Sequence, residues 1–204
     1  LYYCLTFDTF NWDGALAFDT RQKESGAVNI SAKGDVSLLQ PDIHNHDIER
    51  SLLKFRSLEL KGIDITDSET LALSDITLEK MSALQRSQQE ADYTARFDLL
   101  AINDVRYTPN KVAINTVELS GLENNLSRNK DGSWEHDKWV IRSDVKPAAT
   151  AKENSEDKQG DESKPFLISM NKLSVDTDKK ILFTDNSTQP AMITGLEELK
   201  LELT

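Results

Sequence analysis

Apolar positions in this chain recur in one short word, apolar-x-apolar-x-x-apolar-x-apolar. Residues 58–78 read Leu58-x-Leu60-x-x-Ile63-x-Ile65, then Leu71-x-Leu73-x-x-Ile76-x-Leu78. Residues 100–119 repeat it as Leu100-x-Ile102-x-x-Val105-x-Tyr107 and Val112-x-Ile114-x-x-Val117-x-Leu119. A third copy runs Ile168-x-Met170-x-x-Leu173-x-Val175, then Ile181-x-Phe183. Period two predicts strands with one dry face, and a recurring strand unit predicts stacking. The x-x step moves the apolar set to the opposite face unless a bulge or sharp twist corrects it. Repeated steps therefore predict a curved sheet with a kink in each strand.

Between these words the chain is punctuated. Residues 1–50 read as a β meander continuous with the first repeat. Its strands are expected at 2–7, 15–18, 28–32 and 36–39, with Asp13-Gly14 and Lys33-Gly34-Asp35 as turns. Residues 40–49 read as a polar connection that carries a turn of helix into Leu52-Leu53. Residues 51–146 hold repeats one and two. Residues 67–70 and Thr108-Pro109-Asn110 are their hairpin turns, and 82–95 is a short helix or loop. Lys130-Asp131-Gly132 is a turn, followed by a strand through Trp134, Trp139, Val140 and Ile141. Residues 147–164 have no aromatic side chain and no Leu, Ile, Val or Phe, which predicts an acidic disordered loop. Residues 165–204 form the third repeat. Both ends begin or stop within strand-like sequence, as expected of a piece of a longer protein.

Composition narrows the function classes. In 204 residues the formal net charge is -11, which argues against nucleic acid and against docking flat on an anionic membrane. No run of about 20 apolar residues is present to cross a membrane as a helix. Cys4 is the one cysteine, so no internal disulfide can form, and it reads as a small strand hydrophobe.

Catalytic signatures are missing: no G-x-S-x-G, phosphate-binding loop, dinucleotide fingerprint or H-E-x-x-H occurs. The expectation is a non-enzymatic chain without cofactor. His44-x-His46, flanked by Asp42 and Asp47, is the best metal candidate, but two histidines in a loop read foremost as solvated, so no metal site is assigned. His136 and the Glu197-Glu198 pair read as surface groups. Trp12, Trp134 and Trp139 read as packing within strands.

Three stretches, 58–78, 117–134 and 166–190, resemble the AsmA-like proteins of Gram-negative envelopes, and most closely their DUF748 branch. The sharpest likeness is Phe183-Thr184-Asp185-Asn186-Ser187 with Pro190, similar to that branch's Phe-x-Asp-x-Ser…Pro signature; it singles out Phe183, Asp185, Ser187 and Pro190. The resemblance covers about residues 50–204, and the insertion at 147–164 departs from it. It implies a mainly β, elongated and curved antiparallel sheet with few short helices. It also implies an inner-membrane anchor, a periplasmic location and a groove that carries lipid between membranes, or a scaffold for outer-membrane assembly.

For a groove, Leu58, Leu60, Leu71, Leu73, Leu100, Ile102, Val112 and Ile114 are the lipid-facing candidates, at equivalent positions expected to line up across strands. Either they pack on a covering helix or they stay open to acyl chains. The expected partners are phospholipid or another lipid, other domains of the same longer protein and envelope proteins. In the scaffold reading, open sheet edges accept partner strands. Asp185 and Asn186 read as contacts to a partner or, foremost, as an Asx-type turn that fixes a hairpin.

Overall fold

The computed structural model describes residues 3–19, 29–67, 70–87, 92–138 and 166–204. Fourteen strands among them form one sheet, mainly antiparallel and open at both edges. In chain order they are β1 Tyr3–Thr6, β2 Thr9–Asp19, β3 Asn29–Leu39, β4 Asp42–Asn45, β5 Arg50–Lys54, β6 Ser57–Asp67 and β7 Thr70–Gln85. There follow β8 Tyr93–Thr108, β9 Lys111–Ser120, β10 Glu123–Arg128, β11 Leu167–Thr177, β12 Ile181–Asp185, β13 Met192–Leu196 and β14 Leu199–Leu203.

The fourteen strands trace eight long passages of chain. β1 with β2, β3 with β4, β5 with β6, β9 with β10, β11 with β12 and β13 with β14 are each one passage interrupted in the middle, while β7 and β8 cross without a break. The passages lie side by side in sequence order. Neighbours run antiparallel, except that β9–β11 and β10–β12 pair in parallel. A parallel pair needs a connection that returns the chain along the strands. Residues 129–166 make it, and 139–165 of these, with the acidic segment 147–164 and Trp139, Val140 and Ile141, lie outside the described residues.

The interruptions align across the sheet and are stitched together. The amide of Gln40 donates to the Arg56 carbonyl (2.9 Å), that of Phe55 to Pro41 (3.2 Å) and that of Arg56 to Glu79 (2.9 Å). Farther along, the Gly121 amide donates to Asp176 (3.0 Å) and the Thr177 hydroxyl to the Leu122 carbonyl (2.8 Å). Tight packing concentrates on this line: Pro41, Ser57, Phe97 and Thr177 are buried there. No second layer holds the sheet among the described residues, where Ala32, Ile63 and Phe97, with Pro41, are the buried apolar side chains.

Several sequence expectations are corrected. Gly14 and Gly34 do not turn the chain; they face each other in the middle of β2 and β3, where the two backbones approach too closely for a Cβ. Residues 40–49 carry strand β4, not a turn of helix. The 82–95 stretch extends β7 and β8, with 88–91 outside the described residues. Trp134 makes a single bridge to Arg128 and is followed by a 3-10 turn, Glu135–Lys138, so His136 is not in a strand. The Pro109-Asn110 and Lys130-Asp131 turns form where expected. The β6–β7 hairpin also forms, with residues 68–69 of its turn outside the described ones.

Candidate functional site

Register turns the repeated word into rows of side chains. Directly opposed residues in paired strands share a face. One row runs Phe10, Leu38, Leu58, Leu78, Leu100, Leu119, Val175 and Leu201. The next runs Trp12, Val36, Leu60, Ile76, Ile102, Val117, Leu173 and Leu203. Beyond the x-x step, Leu73, Val105, Ile114 and Met170 oppose one another, as do Leu71, Tyr107, Val112 and Ile168.

The eight candidates therefore do not form a single line. Antiparallel pairing sets the first half of one word against the second half of its neighbour. Leu58, Leu60, Leu100 and Ile102 lie on one side of the step, whereas Leu71, Leu73, Val112 and Ile114 lie on the other. Ile76, Leu78, Val117 and Leu119 complete the rows; the second half of each word carried that signal.

The steps themselves are in register. Lys61-Gly62, Ser74-Asp75, Asn103-Asp104, Asn115-Thr116 and Asn171-Lys172 sit side by side on β6, β7, β8, β9 and β11. Against β3, which runs Gly34-Asp35-Val36, β6 has one residue more between Leu60 and Ile63, a bulge with Gly62 at φ 61°. Asp104 on β8 also has positive φ, 51°. The bulge keeps Leu60 and Ile63 on one face and sends both step residues to the other. There they bond laterally: Asn103 Nδ2 donates to Asp75 Oδ1 (2.7 Å), the Thr116 hydroxyl to Asn103 Oδ1 (2.7 Å) and Asn171 Nδ2 to Asn115 Oδ1 (3.1 Å). One face of the sheet is thus polar and cross-linked, and the other carries the apolar rows.

The apolar rows are not covered by protein among the described residues. Their interior members are half-buried by neighbours in the sheet, and their ends are open: Phe10 is 57% exposed and Ile168 68%.

The Phe183–Pro190 stretch runs from the end of β12 into the turn that leads to β13. The Asp185 carboxylate is buried and accepts from the Ser187 amide (2.8 Å) and hydroxyl (2.5 Å), an Asx-type turn. Arg128 Nη1 lies 3.6 Å from it, and Asn186 donates to the Arg128 carbonyl through both its amide and its Nδ2 (3.0 Å each). Phe183 packs near Trp134, with ring centroids 5.7 Å apart, and Pro190 follows a cis peptide bond. The arrangement clamps the end of β10 to the β12–β13 hairpin.

Hydrogen bonds from Ser187, aided by Arg128, hold the Asp185 carboxyl below its ordinary range. A depressed folded pKa stabilises fully above the unfolded value, about 3.9, and is lost as pH falls through the folded one. Asp185→Asn is expected to flatten the acid limb of the melting temperature as pH falls below the ordinary carboxylate range. It is also expected to speed amide exchange in β12 and β13. An unchanged acid limb would remove this role.

Fold and site together define an open, mainly antiparallel sheet with one apolar face that is uncovered among the described residues. No family model, curated protein or solved structure matches the chain.

Proposed function

We propose that this chain is a non-enzymatic lipid-handling module of AsmA-like type, the periplasmic part of an inner-membrane-anchored envelope protein. Its apolar face receives acyl chains. The observation that carries the reading is the set of apolar rows crossing the sheet without a covering layer among the described residues. At about 4.8 Å per strand, eight passages span about 34 Å. One acyl chain occupies about half of a ~30 Å bilayer core, so it fits within a row. Each buried methylene contributes about 0.8 kcal/mol, so a bare apolar face of this kind favours such a guest.

Native mass spectrometry after incubation with phospholipid vesicles tests it. The wild-type chain is expected to retain lipid and the Ile102→Asp/Val117→Asp double variant, charged in mid-row, to retain none. Equal retention, or an apo mass for wild type, sinks the reading.

The outer edges of β1–β2 and β13–β14 favour a second reading, a scaffold that accepts partner strands, because among the described residues nothing pairs with them. In that case the wild-type mass is clean and adjoining domains of the longer protein bind by edge pairing.

A further inference from the structure

Where β1 meets β4 and the turn that follows it, away from the interior of the apolar rows, three metal-binding side chains cluster and a fourth, Cys4, touches one of them. β1 and β4 pair antiparallel with Cys4 directly opposite His44, so both project from the same side of the sheet. They alternate with Leu5 and Ile43, which oppose each other on the other side. β4 ends at Asn45, whose Oδ1 accepts the Asp47 amide (2.9 Å) and shapes the turn. Glu49, at φ 52°, closes that turn and brings its carboxylate back to His44, with Oε2 3.5 Å from Nε2. His46 Nε2 stands 3.0 Å from Cys4 Sγ. The two imidazole rings meet edge to face, centroids 5.1 Å apart, and ligand atoms of His44, His46 and Glu49 all lie within 4.8 Å of one another.

We propose that His44, His46 and Glu49, with Cys4 as the fourth donor, form a zinc site. A tetrahedral zinc with Zn–N and Zn–O of about 2.0–2.2 Å and Zn–S of about 2.3 Å holds its donors about 3.3–3.8 Å apart. The 3.5 Å His44–Glu49 and 3.0 Å His46–Cys4 contacts bracket the lower part of that range. Cys4 lies outside the set of donors that are all within 4.8 Å of one another, so its side chain must turn towards His44 and Glu49 to complete the shell. Two imidazoles, a thiolate and one carboxylate select a borderline transition metal over Mg²⁺ or Ca²⁺, which take oxygen ligands. Binding displaces the thiol proton to solvent. The ion ties β1, forty residues away in sequence, to the β4–β5 turn. Such a staple secures the outermost passage of an open sheet, where the strand has a partner on one side only.

The test is Zn²⁺ titration of the chelator-stripped chain against a chromophoric competitor, with Co²⁺ as a spectroscopic probe. One equivalent is expected to bind, with affinity falling at least about tenfold in His44→Ala and in His46→Ala and less in Glu49→Gln. Cys4→Ser is expected to abolish the thiolate-to-Co²⁺ charge-transfer band. X-ray absorption on the wild-type zinc complex reads the donors without any variant: two imidazoles, one sulfur and one oxygen. Zinc is also expected to slow amide exchange in β1. Wild-type affinity equal to that of the His44→Ala/His46→Ala double variant, or a shell of oxygen donors only, overturns the proposal. A sulfur-free shell with both imidazoles present overturns the part assigned to Cys4.

Discussion

Gly34→Val is expected to break the β2–β3 pairing, at a cost of about 3 kcal/mol. Two independent penalties fall on that residue. Its φ of 155° is one that side-chain-bearing residues rarely adopt. A Cβ there would also meet the Asp13 carbonyl oxygen at 2.4 Å and the Gly14 Cα at 2.6 Å. Both are backbone atoms of the neighbouring strand, so no side chain can swing aside to relieve the clash. Gly14 faces the reciprocal conflict, with the Lys33 carbonyl oxygen at 2.2 Å. The strands must separate, and β2, paired among the described residues to β3 alone, is the one that leaves. Amide exchange is the measurement. Leu16 and Ala32 should lose protection while Leu100, four passages into the sheet, keeps it. Unchanged protection at Leu16 would show that the close approach of the two glycines carries no strain.

Phe97→Ala is expected to cost a similar amount, about 3 kcal/mol, but to act on the whole sheet. Phe97 is 8% exposed and opposes Met81 where β7 and β8 cross the line of interruptions. On one side of that line β7 and β8 pair with β6 and β9; on the other they pair with β5 and β10. These two uninterrupted strands link the halves of the sheet, and Phe97 is the large apolar side chain buried at their junction. In an open sheet the surrounding atoms can relax, which keeps the loss at the low end of the range for phenylalanine truncation. Phe97→Leu, which retains most of the volume, should cost about 1 kcal/mol. Urea denaturation followed by backbone and tryptophan signals should move together in the alanine variant. A shift confined to one signal would mean that the halves unfold separately.

The two substitutions mark where reading the residues succeeds and where it stops. Strand class was legible because alternation needs only one residue's neighbours, and the word in 58–78 and 100–119 shows it over whole passages. The kink was legible too, since the extra residue between Leu60 and Ile63 has to be absorbed within the strand. Gly14 and Gly34 misled because glycine serves both turns and close backbone approach, and nothing beside it in sequence distinguishes them. The same holds for 82–95, of which 82–85 and 93–95 lie in strands because β7 and β8 are held there by partners on both sides. Propensity is a weak prior once such pairing is available.

The apolar face divides along the same line. Leu58, Leu60, Leu100 and Ile102 could be picked out as its members from spacing alone, but their partners could not, because the direction of pairing decides which residues stand opposite. The contact of Cys4 with His46 was equally invisible, since contact across forty residues depends on strand order rather than on local pattern. What the residues alone determined was an alternating, kinked, one-sided strand repeat. What only the tertiary structure decided was the order, direction and interruption of eight passages, because register is a property of two strands and is written in neither one.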